Sequence, residues 1–306
     1  MYDTIRLQLI TDECERVIGY LTDVRIMIKP TGEYSHSGSL ENMKVSVGAA
    51  TVGMNGSFPK FLHGNNLVSF TRADTERTIE KLSDLLHLPV KESKVSRIDI
   101  AANFIMKQPV RDYITLLGEA SHFEKRPYCK TGLYYNSGRR SMLFYDKTKE
   151  YRDKKKAALI PEMFKGRNVL RYELRFNTRL KRQFDSEVKA VDLYKEYFYI
   201  DKIKRWQDSY FSIKKVKTFK GRSCKMKNVG DYREHILALH FKDKSRFEKA
   251  LNDLERARET GVMSDREYYR CKKETERILN NAKYFEPNDS ILELDDKVKQ
   301  AAKYCR

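Results

Sequence analysis

Three short stretches each place one reactive polar side chain among apolar neighbours. They are Val95-Ser96-Arg97-Ile98-Asp99-Ile100-Ala101, Ser141-Met142-Leu143-Phe144-Tyr145-Asp146-Lys147 and Leu170-Arg171-Tyr172-Glu173-Leu174-Arg175-Phe176. Alternation of apolar and polar residues makes each of them a strand. If the strands are neighbours, Asp99, Tyr145, Lys147 and Glu173 meet on one sheet face. Two carboxylates can hold a hard cation such as Mg²⁺ or Mn²⁺ through oxygen, and a tyrosine can act as a covalent nucleophile. A cation beside the phenol would favour its ionised form. The set suits phosphodiester cleavage on DNA. Each residue also has an ordinary reading. Asp99 can pair with Arg97 or Lys94, Glu173 with Arg171 and Arg175 on its own strand face, and a strand tyrosine is usually core or rim. Tyr151, inside the basic run from Lys147 to Lys156, is a competing nucleophile.

The elements that would carry these residues can be traced along the chain. Thr4–Leu9 and Asp23–Lys29 alternate as strands, and Asn42–Met54 reads as a strand or hairpin. A helix opens at Asp74 as N-cap, carries Ile79, Leu82, Leu85 and Leu86, and is stopped by Pro89. A second is entered at Pro109, with Val110, Tyr113, Ile114 and Leu117. Asn136-Ser137-Gly138 turns the chain into the Tyr145 strand. Leu193, Tyr194, Tyr197, Phe198 and Trp206 mark an aromatic helix. Ser245–Glu259 and Arg266–Asn281 read as charged helices, the second with a capping box from Ser264 and Glu267. The expected fold is α+β, with a largely antiparallel central sheet and flanking helices, followed by a mostly helical basic C-terminal region. The expected division is 1–185 and 186–306.

Charge points to the partner. The 306 residues carry 61 Lys and Arg against 43 Asp and Glu, a net +18, which favours a polyanion. Between 209 and 230 there is no acidic residue, but Lys214, Lys215, Lys217, Lys220, Arg222, Lys225 and Lys227 follow one another. Solvated surfaces usually mix signs, so this stretch is the candidate DNA-backbone contact. The five cysteines lack metal-ligand spacing and read as reduced thiols. His63, in a Gly-Asn turn, reads as a loop histidine, and no histidine cluster is present. The start has no signal-peptide pattern and no apolar run reaches membrane-spanning length. The expected location is the cytoplasm of a bacterial host.

At these residues the chain resembles the phage and plasmid replication initiators typified by the gene II protein of filamentous phages (the gene II/X family), and more distantly those of staphylococcal rolling-circle plasmids. The resemblance runs from Met1-Tyr2-Asp3-Thr4-Ile5-Arg6-Leu7 to about residue 185. It includes Phe58-Pro59-Lys60-Phe61-Leu62-His63-Gly64-Asn65-Asn66 and the three strands above. It implies that Tyr145 is a nicking nucleophile followed by Lys147, and that Asp99 and Glu173 are ligands of Mg²⁺ or Mn²⁺. It also implies origin DNA as substrate, and a host helicase and polymerase as partners. A 5′-phosphotyrosine would be left beside a priming 3′-hydroxyl, and the strand would later be rejoined. Two other activities fit parts of the pattern: a mobilisation relaxase, which usually carries the histidine cluster missing here, and a non-enzymatic origin-binding protein.

Overall fold

The computed structural model describes residues 1–28, 34–128, 132–220 and 227–304. Ten strands form one antiparallel sheet. They are β1 (Tyr2–Ile10), β2 (Thr22–Ile28), β3 (Tyr34–Leu40), β4 (Met43–Val47), β5 (Thr51–Ser57) and β6 (Lys94–Met106), then, after a short β7 (Leu117–Ala120), β8 (Glu124–Tyr128), β9 (Gly132–Asn136), β10 (Arg140–Asp146) and β11 (Asn168–Phe176). Their spatial order is β2-β3-β4-β5-β1-β6-β11-β10-β9-β8. The strands of Asp99, Glu173 and Tyr145 are therefore consecutive neighbours at the centre. The expected α+β class and antiparallel sheet are what the chain adopts.

One face of the sheet is apolar and covered. Ile98, Ile100, Met142, Phe144, Leu170, Tyr172, Leu174 and Phe176 are buried there. Phe144 stacks on Tyr172 with centroids 4.6 Å apart, and Tyr172 stacks on Trp206 at 4.9 Å. Trp206 belongs to the helix Glu196–Phe211, whose aromatic positions bind it to this face. Aromatic pairs in such geometry add about 0.5–1.5 kcal/mol each beyond their buried area. The opposite face carries the polar alternates of the same central strands, and Leu67, Tyr151, Ile160 and Phe164 pack there against Val169 and Ile105.

The helix expected to open at Asp74 starts three residues earlier. Thr71 is the N-cap and Asp74 is the N3 partner of a capping box, each side chain bonding the other's backbone N–H. Asp74 also receives Arg77 at 2.6 Å, with His63 at 3.7 Å, away from the central strands. The turn at Asn136–Gly138 leads from β9 to β10 as expected, Gly138 adopting φ +75°. Cys14 and Cys271 are free thiols.

The chain divides into two compact units, 1–214 with 293–306, and 215–292. The expected boundary near 185 falls inside the first. Within that unit β12 (Ile213–Lys215) pairs with β7, and Tyr113 and Tyr210 donate to Glu293 and Asp295, at 2.5 and 2.7 Å. In the second unit β13 (Lys217–Phe219) pairs with β14 (Phe285–Pro287) beside the helices Val229–Phe241, Lys244–Glu259 and Asp265–Asn280. Its core is Ala238, Phe241, Ile278, Tyr284 and Phe285. The Ser264–Glu267 capping box is present. The charged helices were readable; the helix Val229–Phe241 was not foreseen. Among the described residues, no helix is long and apolar enough to cross a membrane.

Candidate active site

Strand register decides which polar side chains meet. Between β6 and β11, Asp99 lies opposite Arg175, Ala101 opposite Glu173 and Asn103 opposite Arg171. Between β11 and β10, Tyr145 lies opposite Arg171 and Leu143 opposite Glu173. Directly opposed residues share a face, so Asp99, Tyr145, Glu173 and three strand arginines share the one opposite the aromatic core. The Tyr145 hydroxyl donates to Glu173 Oε1 at 2.7 Å.

Arginines fill the space between the carboxylates. Arg171 is buried, donating through Nε to Glu173 Oε1 at 2.7 Å and through Nη1 to Asn103 Oδ1 and the Asn66 carbonyl. Its Nη2 lies 2.7 Å from Asp3 Oδ2, an ion pair whose angle falls short of a hydrogen bond. Arg175 donates twice to Glu173 Oε2, at 3.0 and 2.7 Å, and reaches Asp99 at 3.7 Å. Arg97 grips Asp99 with both oxygens engaged, at 2.8 and 2.6 Å. Paired forks of this kind are the strong form of charge-assisted hydrogen bond. Sequence reasoning treated Arg171 and Arg175 as ordinary strand partners and gave Asp3, Asn66 and Asn103 no role. Only the alternation of Arg171, Glu173 and Arg175 along one strand hinted at the arrangement.

Lys147 is delivered differently from its expectation. The strand stops at Asp146, which caps the helix Lys147–Asp153 by accepting from the Lys149 N–H. Lys147 is thus the first helical residue. Its buried ammonium lies 5.6 Å from the Tyr145 ring centre and 5.1 Å from that of Tyr151, and donates to Glu150 at 2.6 Å. Tyr151 is buried, with its hydroxyl donating to Asn66 Oδ1 at 3.2 Å. The phenol partnered with a strand carboxylate is that of Tyr145.

The electrostatics follow from burial and these partners. Burial, then the neighbouring Glu173 carboxylate, push the Tyr145 phenol well above its ordinary value. Burial pushes Glu173 upward too, but Arg171 and Arg175 outweigh it and hold the carboxyl below its ordinary range. Burial, helped by Arg171, brings Lys147 down to about 8 against the pull of Glu150. Burial pushes the Asp99 carboxyl up to about 6 in spite of Arg97 and Arg175.

The Asp99 shift has a measurable sign. Its unfolded value is 3.8, so between that and about 6 the folded protein binds more protons. The folded state therefore loses stability as pH rises through this window. Asp99→Asn removes the titration. Its stability relative to wild type is expected to rise by up to roughly 3 kcal/mol between about pH 4 and pH 7, read from urea unfolding across a pH series. A gap that does not change with pH would mean that Arg97 keeps the carboxyl ionised throughout.

Asp99 and Glu173 share a face, as a pair of metal ligands would. As arranged, however, they do not fit a cation. Every carboxylate oxygen of the pair already accepts from a guanidinium, and three arginines and a lysine surround them. Among the described residues no group of three or more His, Cys, Asp or Glu is placed to hold a metal.

The expected DNA-contact lysines divide between the two units. Lys214 closes the first chain segment of the first unit, whereas Lys215, Lys217, Lys220 and Lys227 lie in the second. Lys217 donates to Asn280 Oδ1 and Lys220 to the Ala282 carbonyl. Arg222 and Lys225 lie outside the described residues. In the first unit the sheet face adds its own cations, since exposed Arg6 lies opposite Arg97, Asn55 opposite Arg6, and exposed Lys44 opposite Asn55.

A family model for the N-terminal region of a phage replication-associated protein matches residues 1–199, a span that holds the whole site. No curated protein matches the chain.

Proposed function

Starting from a chain that belongs to this phage replication-associated protein family, we propose that it initiates rolling-circle replication by nicking one strand of an origin through Tyr145. One observation carries the reading: of the two tyrosines beside Lys147, it is Tyr145 whose hydroxyl is seated on a buried, guanidinium-held carboxylate.

In this reading the row Lys44, Arg6 and Arg97 guides the DNA backbone across the sheet, as cations do for phosphates without regard to sequence. Arg97 and Arg175 are each about a quarter exposed, so their outer edges face the scissile phosphate and offset charge developing on its oxygens. Held ionised by Arg171 and Arg175, Glu173 orients the phenol by accepting its hydrogen bond. As the Tyr145 Oη–P bond forms, the phenol proton leaves to solvent, and as the P–O3′ bond breaks, the departing 3′-oxygen takes a proton from solvent. The products are a 5′-phosphotyrosine and a free 3′-hydroxyl. The Lys147 ammonium steadies the phenolate as its proton leaves. The reverse reaction rejoins the strand, and because the phosphodiester energy is kept in the covalent bond, no nucleotide hydrolysis is required. The lysines of 214–227 are proposed as backbone contacts, and host helicase and polymerase as the proteins that use the exposed 3′-end.

The divalent cation belongs to the proposal but to no step above, since Asp99 and Glu173 would have to exchange guanidinium for metal to hold it. The test is purified protein with supercoiled DNA carrying its own replicon, with Mn²⁺ or with chelator. A nicked circle with protein on its 5′-end supports the reading. Loss of nicking with chelator would mean that these carboxylates change partners once DNA is bound. DNA retarded in a native gel yet left supercoiled under every condition would make the protein a non-enzymatic origin binder.

A further inference from the structure

The sheet continues beyond Tyr145 into β9 and β8, and its open face there is aromatic where solvent-facing positions are normally polar. In β10 and β9, Leu143 lies opposite Tyr134; in β9 and β8, Tyr134 lies opposite Arg126 and Gly132 opposite Tyr128. Tyr134, Tyr128 and Arg126 are therefore on the face of Tyr145. The covered face of the same hairpin already has its own apolar residues, Leu133 and Tyr135. Packing of the hairpin does not call for two more rings on the other side.

The rings form a row that ends at the proposed nucleophile. Tyr128 lies 6.0 Å from Tyr145 and 6.5 Å from Tyr134, centre to centre, with tilts of 51° and 36°. Gly132 makes room for it: a Cβ at that position would meet Cδ1 of Tyr128 at 2.9 Å, so the ring lies down across the glycine. Both Tyr128 and Tyr134 are half-buried, each leaving part of the side chain to solvent. Cations flank the row. Arg126 is exposed. The Lys154 ammonium is held up in pKa first by its bond to Glu150, and Tyr128 and Glu173 are close enough to add to the effect.

Half-exposed rings interleaved with cations match the chemistry of unpaired nucleobases, which stack on aromatic faces while phosphates are held by Lys and Arg. We propose that Tyr128 and Tyr134 form a stacking subsite for single-stranded DNA, holding the bases next to the scissile phosphate unpaired. The proposal rests on the reading of Tyr145 as the nicking residue for its location, but not for its test. Such a subsite would supply specificity for melted rather than duplex DNA, because only splayed bases reach the rings.

The test uses the full chain and two probes without an origin, so that no cleavage enters: oligothymidylate of about 16 nucleotides, within the usual site sizes, and an abasic oligomer of the same length. Tyr128→Leu and Tyr134→Leu should each weaken oligothymidylate binding by about fivefold or more. Abasic binding and the salt dependence should stay unchanged, because the backbone contacts remain. Tyr128→Phe and Tyr134→Phe keep the ring and should bind as wild type. Equal affinity of the Leu variants and wild type for oligothymidylate would overturn the subsite. So would a parallel loss on both probes, which would mark the rings as scaffold. Failure of wild type to nick its own replicon would overturn the nickase reading and leave these binding results standing.

Discussion

Tyr145→Phe is expected to lose nicking by more than about 10⁴-fold, the scale seen when a covalent nucleophile is removed, while DNA binding stays within about twofold. The substitution deletes a single oxygen. The ring keeps its neighbours Tyr128 and Lys147, and β10 keeps its register with β9 and β11. Glu173 Oε1 loses the phenol but retains the Arg171 Nε–H at 2.7 Å. No buried carboxylate is thereby orphaned, so the cost in stability should be about 1 kcal/mol or less. Conversion of supercoiled to nicked circle, followed beside a native-gel titration, separates chemistry from binding. Wild-type nicking by the variant would return Tyr145 to scaffold.

The other large effect is on folding. Arg171→Leu removes the one guanidinium shared by Asp3 and Glu173, both buried. Leucine fills much of the volume but leaves two desolvated carboxylates facing each other, of which only Glu173 keeps an arginine. Breaking a buried pair from one side typically costs about 3–5 kcal/mol, and unfolding by urea at pH 7 should show a loss of that size. The pH dependence has a definite sign. Arg171 helps to hold both carboxyls below their ordinary values of 3.8 and 4.5, against the upward push of burial. This stabilisation is present above those values and is lost as pH falls through the lower folded ones. In the variant the carboxyls protonate more readily, so the gap from wild type should be widest near neutrality and narrow below about pH 4.5. A stability at pH 7 equal to wild type would show that Asp3 and Glu173 find other partners.

The central strands were legible because alternation reports burial one strand at a time. Ile98 and Ile100 around Asp99, and Tyr172 and Leu174 around Glu173, point into the covered layer and leave the carboxylates on the other face. What alternation does not carry is partner choice across strands. Arg171 looked like an ordinary partner of Glu173 on its own strand face, but it also reaches Asp3, whose strand is sequentially remote and becomes a neighbour only through β6. The alternation of arginine with glutamate on that strand face left two readings of Glu173, metal ligand or partner of Arg171 and Arg175, and the ion pairs present are those of the second. Lys147 was placed near Tyr145 on the assumption that the strand continued. It arrives there because Asp146 caps a helix at that point, a change of direction that residue types alone did not announce. Thr71 as the N-cap was missed for a similar reason: Asp74 is an equally good capping residue, and only backbone geometry assigns it to N3. The aromatic row was not foreseen, since Tyr128 reaches both Tyr134 and Tyr145 only through hairpin register and by lying across Gly132.

The central claim is that one particular oxygen becomes bonded to DNA, and identification of the modified peptide tests it most directly. After nicking of replicon DNA, nuclease trimming and tryptic digestion, cleavage after Arg140, Lys147, Lys149 and Arg152 separates the two candidate tyrosines. Tyr145 falls alone in Ser141–Lys147, and Tyr151 alone in Glu150–Arg152. A 5′-phosphonucleotide mass on Ser141–Lys147, absent from Tyr145→Phe, is the expected result. The same mass on Glu150–Arg152, or a nicked circle with no protein attached, would contradict it.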